Sequence, residues 1–205
     1  MVSRRWLDLS SSPEDQGATF IELFFDLVFV YGITQVVGLM HHELGRAAAG
    51  HAILVFWMIW WGWTQYTWAF NAVDTTHPII EFSALVATAI AFFMAVEVPG
   101  AFDGGAMWFA APYVALRVVG LGLYSSVLWV TPEGRKAITL FATLSIGGLA
   151  AVLMGAYAGE QQVIFWALAI FLDVIAVVSL GLAFVGVALV AFLEEKTAER
   201  MQAAA

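Results

Sequence analysis

The sequence predicts an all-α fold, a polytopic membrane bundle of six transmembrane helices. Three observations predict it. Apolar residues make up 62% of the chain and charged residues only 12%, about half the share typical of a soluble domain. Apolar runs of about 20 residues, enough to cross a hydrocarbon core of roughly 30 Å, recur from residue 20 onward. The breaks between them carry turn or charge signals: HHELGR at 41–46, DTTHP at 74–78, PGAFDGG at 99–105, TPEGRK at 131–136 and GEQQ at 159–162.

Residues 1–19 are polar, mix both charge signs and contain Ser, Pro and Gly, so they read as an uncleaved cytoplasmic tail. Arg4 and Arg5 resemble a signal-peptide n-region, but an acidic stretch intervenes before the next apolar run, which is itself long enough to span. The runs fall at 20–41, 50–71, 79–98, 106–129, 137–158 and 162–192. The last is too long for one crossing, since it would make a helix of about 46 Å. It either tilts and protrudes into the polar end FLEEKTAER or bends near Gly181 or Gly186, and the protruding helix is the favoured reading. One six-helix domain at 20–193 is expected, followed by a cytoplasmic tail at 194–205, with no internal repeat.

Orientation follows from the basic residues. Arg4, Arg5, Arg135, Lys136, Lys196 and Arg200 share one side of an even-numbered set of spans, and Arg46 falls opposite. Both termini are therefore expected in the cytoplasm, in a multi-pass protein of the cell (inner) membrane. Trp57, Trp60, Trp61, Trp63 and Trp68 crowd one run too densely for an interfacial belt alone, so some must face other helices or a ligand. Glycine and small residues in GLGLYSS and SIGGLAAVLMGA permit close helix packing.

Composition also excludes. The chain has no cysteine, hence no disulfide framework or thiol chemistry. Its eight Lys and Arg form no patch, and nucleic acid is not an expected partner. No phosphate-cradling glycine loop, HExxH or Ser-His-Asp set occurs. Lys136 and Lys196 lie at membrane edges, which disfavours a retinal-type Schiff base. His41, His42 and His51 show no metal- or haem-ligand spacing, and no cofactor is assigned.

Ionisable residues inside spans are expensive and are functional candidates. Asp26 lies about 9 Å inside the first run and Glu22 one turn nearer its start, on the same face. Arg117 and Asp173 each fall about 15–18 Å from a membrane face, so they are expected to pair. Their pair either fixes helix packing or acts as a gated, proton-coupled switch. Gln65, Asn71 and Asp74 at the end of the second run, with His77 and Glu81 opening the third, gather at the same side as Glu22 and Asp26. Together they are expected to line one acidic cavity suited to protons, metal ions or amines. The bland alternative is solvated helix ends.

The stretch ELFFDLVFVYGITQ at 22–35 resembles the signature of the bacterial low temperature requirement protein A family. The likeness continues through WWGWTQYTWAFNAVDT at 60–75, MAVEVPGAFD at 94–103, YVALR at 113–117 and WALAIFLD at 166–173. It covers roughly residues 20 to 175. Glu22, Asp26, Gln35, Asn71, Asp74, Arg117 and Asp173 match the polar positions of that pattern. The resemblance implies a longer protein, about twice this length, with a second set of spans opening on H-x-x-E-R and an L-G-E-S-type motif. Neither motif is present, and His77 stands where the pattern implies a basic residue after the DT motif. A half-length version is expected to dimerise or to act differently from the long members. The family name records a growth phenotype and implies no reaction.

Three functions are therefore weighed. The first is proton- or cation-linked transport of a small solute through the acidic cavity. There Asp26 is the protonatable or cation-binding group, and the Arg117–Asp173 pair is the element that rearranges. The second is a membrane-embedded enzyme acting on a lipid or isoprenoid, with carboxylates holding Mg²⁺ and tryptophans such as Trp61 and Trp68 facing a carbocation. The third is an accessory subunit of a larger membrane complex. Membrane lipids and a homo-oligomer or larger complex are the expected partners.

Overall fold

The computed structural model describes residues 19–42, 45–71, 73, 77–129 and 132–203. Apart from Thr19, the expected N-terminal tail at 1–19 lies outside them. Among the described residues all regular structure is helical: α1 (Phe20–His42), α2 (Arg46–Phe70), α3 (Pro78–Val96), α4 (Ala106–Leu128), α5 (Pro132–Tyr157) and α6 (Gln162–Ala203). Short 3₁₀ turns at Val98–Gly100 and Gly159–Gln161 precede α4 and α6.

Local chemistry explains where the helices begin. Thr19 and Glu22 form a reciprocal capping box at the start of α1. The Thr19 hydroxyl accepts from the Glu22 N–H at 3.3 Å, and the Thr19 N–H donates to Glu22 Oε2 at 3.2 Å. His77 caps α3, its Nδ1 accepting from the Ile79 N–H at 3.3 Å, and Pro78 takes the first helical position, where no N–H is needed. Between α3 and α4, Gly104 adopts a φ of 78°, and a side-chain carbon on Gly105 would lie 2.7 Å from the Gly100 carbonyl oxygen. The PGAFDGG break is thus a tight turn that only glycine accommodates.

Five of the helices are long and apolar enough to cross a membrane: α1, α3, α4, α5 and the first half of α6. With 25 residues, α2 matches them in length. Its five tryptophans, with Gln65, Tyr66 and three threonine or histidine neighbours, lower its apolarity below theirs. This is a multi-pass membrane protein. Helix α6 runs unbroken for 42 residues, about 63 Å. It shows no break at Gly181 or Gly186 and carries helix through the segment expected as a separate tail at 194–205, as far as Ala203.

Helix α1 packs on α2 and α3; α4 packs on α2, α3 and α5; α6 lies along α5 and reaches α2. One apolar core joins α1 through α4 to the start of α6, through Phe25, Tyr66, Phe109, Tyr113 and Trp166. A second, smaller core holds Trp61, Leu121, Phe141 and Leu180 between α2, α4, α5 and α6. The outer surface is apolar too, with Phe82, Phe93, Ile164 and Leu182 well exposed, as lipid contact requires. Three polar ties lock the bundle. The Tyr66 hydroxyl donates to the Leu116 carbonyl, the Gln162 amide to the Ala101 carbonyl, and the Trp166 indole to the Val152 carbonyl.

Candidate functional site

Arg117 sits at the midpoint of α4, about 16 Å from either end, and Asp173 about 16 Å into α6. The structure brings them together. Arg117 Nη2 donates to Asp173 Oδ1 at 2.8 Å and Nη1 to Oδ2 at 2.9 Å, a two-pronged pair in which Arg117 is 0% and Asp173 4% exposed. It is the one ion pair among the described residues. Nη1 also donates to the Tyr113 hydroxyl at 3.0 Å, one turn earlier on α4. The guanidinium carbon lies 5.6 Å from the Trp61 ring centre and 5.8 Å from that of Tyr113, so aromatic faces flank the charge.

Several buried side-chain polar atoms on α2, α4 and α5 have no hydrogen-bond partner among the described residues. They are Arg117 Nε, both amide atoms of Gln65, the Ser145 hydroxyl, and the indole nitrogens of Trp57 and Trp61. Trp57, Trp61 and Gln65 recur every four residues along one face of α2. Gln65 lies against Gly120, one turn beyond Arg117, where a side-chain carbon would come within 3.3 Å of the Gln65 amide and 2.9 Å of Tyr66. On α5, Gly148 faces Asp173, with Ser145 one turn before it. The interior of α2, α4, α5 and α6 is therefore a charged, donor-rich centre within an otherwise apolar bundle.

Among the described residues the predicted acidic cavity is not assembled. The stripe Phe25, Val28, Phe29, Gly32 and Val36 turns α1 toward the core and leaves Asp26 exposed on the outside of the bundle. There Asp26 Oδ1 accepts from the Trp63 indole N–H at 2.7 Å. Glu22 is engaged in the α1 cap. Gln35 is half-buried, about 22 Å from the start of α1 and far from the others. Gln65 points into the interior described above. Asn71 is the exposed C-terminal cap of α2, and Glu81 is exposed in the first turn of α3, where an acid complements the helix dipole. Asp74 lies outside the described residues. Of the described members of the set, only Gln65 lies on the interior face near Gly120, one turn beyond Arg117.

At the opposite end of the bundle His51 stacks on Phe102, ring centres 3.9 Å apart, beside a cleft of about 470 Å³ that Asp103 also lines. Among the described residues no three His, Asp or Glu side chains converge as a metal site would require. Two partners escaped the sequence reading. Tyr113 carries a signal, since it stands four residues before Arg117 in YVALR. Trp63 carries none, because its match to Asp26 depends on how α1 and α2 align.

The family model for the bacterial low temperature requirement A protein, LtrA, matches residues 17–204. The chain belongs to the LtrA family. An uncharacterised protein of Rhizobium meliloti (strain 1021) is 29% identical over 174 residues, which cover 82% of this chain and 41% of that protein. The chain thus spans about two fifths of the length of this curated relative. No solved structure matches it. The Arg117–Asp173 pair falls on segments that carry the LtrA resemblance, YVALR and WALAIFLD.

Proposed function

We propose that this LtrA chain is a six-span membrane carrier that moves a small solute coupled to protons or another cation, with both termini in the cytoplasm. The placement of α2 supports the sixth span: it packs on α1, α4 and α6, so it runs among helices of membrane length. The observation that carries the transport reading is the buried Arg117–Asp173 pair, together with Gln65 and Ser145 on the surrounding helices, buried polar side chains with no partner among the described residues. A pair needed only for packing is replaceable by apolar residues, often with a gain in stability. Unsatisfied donors beside a mid-span charge are what a polar route needs and what a packing device would avoid. Rearrangement of Arg117 between Asp173 and a passing solute is the proposed step. The acidic cavity expected around Glu22 and Asp26 plays no part in it.

The enzyme reading needs Glu22 and Asp26 side by side over a substrate, and these two carboxylates serve a helix cap and an indole instead. The test is proton flux into liposomes containing the protein and a trapped pH dye, under an imposed membrane potential. The wild type is expected to acidify the lumen faster than protein-free liposomes. The charge-free double variant Arg117→Met/Asp173→Leu is expected to fold and to lose that flux. Wild-type flux equal to the protein-free rate, or full flux in the folded double variant, overturns the proposal.

A further inference from the structure

The carrier reading leaves Asp26 without a role, and its surroundings point to a ligand of their own. It borders a groove of about 280 Å³ between α1 and α2, open to the outside of the bundle. The groove is otherwise walled by apolar and indole side chains, chiefly Val30, Ile33, Ile59, Trp60 and Trp63. Among the described residues Asp26 is the only charged one lining it, and no Lys, Arg or His joins it. One carboxylate oxygen takes the Trp63 N–H at 2.7 Å, and the other has no partner among the described residues.

The groove is also graded in polarity. Asp26 lies about 9 Å from the start of α1 and Trp63 about 10 Å from the end of α2, so the polar end sits near one membrane face. Val30 and Ile33 follow on α1, and Trp60 and Ile59 on α2, each step deeper into the membrane. An occupant therefore places its head at Asp26 and its apolar chain toward the bilayer centre.

Charge complementarity defines that head. A carboxylate oxygen facing apolar walls needs an N–H donor or a positive charge. Indole faces beside it attract cations, most of all in a dry setting. No basic residue among the described lining residues is there to meet a phosphate, which argues against a phospholipid headgroup. A volume near the lower end of small-ligand sites suits an ammonium group and the first part of its chain, with the rest in lipid.

We propose that the α1–α2 groove binds a membrane-dissolved lipophilic amine, its ammonium group held by Asp26 between Trp60 and Trp63 and its chain lying along Val30, Ile33 and Ile59. The proposal uses no residue of the Arg117–Asp173 centre and stands or falls apart from the carrier reading.

The experiment is equilibrium binding of radiolabelled dodecylamine to the protein in phosphatidylcholine nanodiscs, with empty discs subtracted. Saturable binding is expected, with no competition from dodecanol. Asp26→Asn is expected to weaken binding about tenfold or more, and Trp63→Phe several-fold, with unfolding temperature unchanged. Ile33→Trp fills the groove while keeping the carboxylate, and it should weaken binding at least as much as Asp26→Asn. If Asp26→Asn does not fold, Ile33→Trp carries the test alone. Binding as tight as that of the wild type in the folded Asp26→Asn or Ile33→Trp, or binding that dodecanol displaces equally well, overturns the proposal. Two further results would assign the groove to another occupant and also overturn it. One is loss of amine binding when phosphatidylethanolamine replaces phosphatidylcholine. The other is efficient disulfide-linked dimerisation in membranes of a Val30→Cys variant, whose parent chain has no cysteine.

Discussion

Asp173 and Asp26 are the same residue type in helices of membrane length, and they meet opposite surroundings. Asp173 is enclosed, and the helix opposite delivers a guanidinium fork that occupies both its oxygens. Asp26 faces outward, and the helix opposite delivers a single indole N–H that occupies one. What a carboxylate does in a bilayer is thus decided by what its neighbour presents at the same depth. A fork closes the site and ties two helices; a lone donor leaves an oxygen for something else.

Four substitutions break or sharpen this contrast. The largest effect is expected from Asp173→Ala, which strands the Arg117 charge in the interior. It should lower stability by about 3–5 kcal/mol in denaturant unfolding in detergent, and Arg117→Met/Asp173→Leu should recover most of the loss. A loss below about 1 kcal/mol would show the interior pair to be no more structural than Asp26, and the contrast would fail.

Gly155→Ala comes next. The new carbon would stand 2.6 Å from Trp166 Cδ1 and 2.9 Å from Phe165 Cβ, and Trp166 is fully buried with its indole tied to the Val152 carbonyl. Overpacking there should destabilise by roughly 1–3 kcal/mol, by the same assay. It should also disturb the α5–α6 alignment that delivers Asp173 to Arg117. Tyr113→Phe removes one acceptor from Arg117 Nη1 but spares the fork to Asp173, so a loss of about 1–2 kcal/mol is expected. A loss as large as that of Asp173→Ala would make the phenol an equal partner of the carboxylate.

Asp26→Asn should have the smallest effect, a stability change below about 1 kcal/mol, because the side chain is exposed and an amide oxygen still accepts from Trp63. A thermal unfolding shift matching that of Asp173→Ala would place Asp26 among the structural charges and remove the contrast altogether.

Some of this was legible in the chain itself. Arg117 and Asp173 stand alone in their spans and at one depth, and the expense of an isolated charge in lipid makes their meeting readable from spacing. The T-x-x-E spacing at 19–22 is a capping-box signal that the reading of Glu22 as a cavity residue passed over, and the cap explains Glu22 better than a cavity does. Asp26 was not legible. Helix α1 is apolar on all sides, since one side meets the core and the other meets lipid, so periodicity does not say which face turns inward. The reading of Gln65, Asn71 and Glu81 as one cavity failed for the same reason. A shared membrane side does not give a shared helix face.

By itself, then, the sequence determined that the chain is a helical membrane protein of the LtrA family, where most of its helices run, and that its few interior charges need partners. Length and apolarity decide those things, because a bilayer leaves the backbone no alternative to helix. The rotation of each helix about its axis was decided only by tertiary packing. Close contacts at Gly120, Gly148 and Gly155 and interlocking aromatics set it, and with it which carboxylate is sealed inside and which is offered to the membrane.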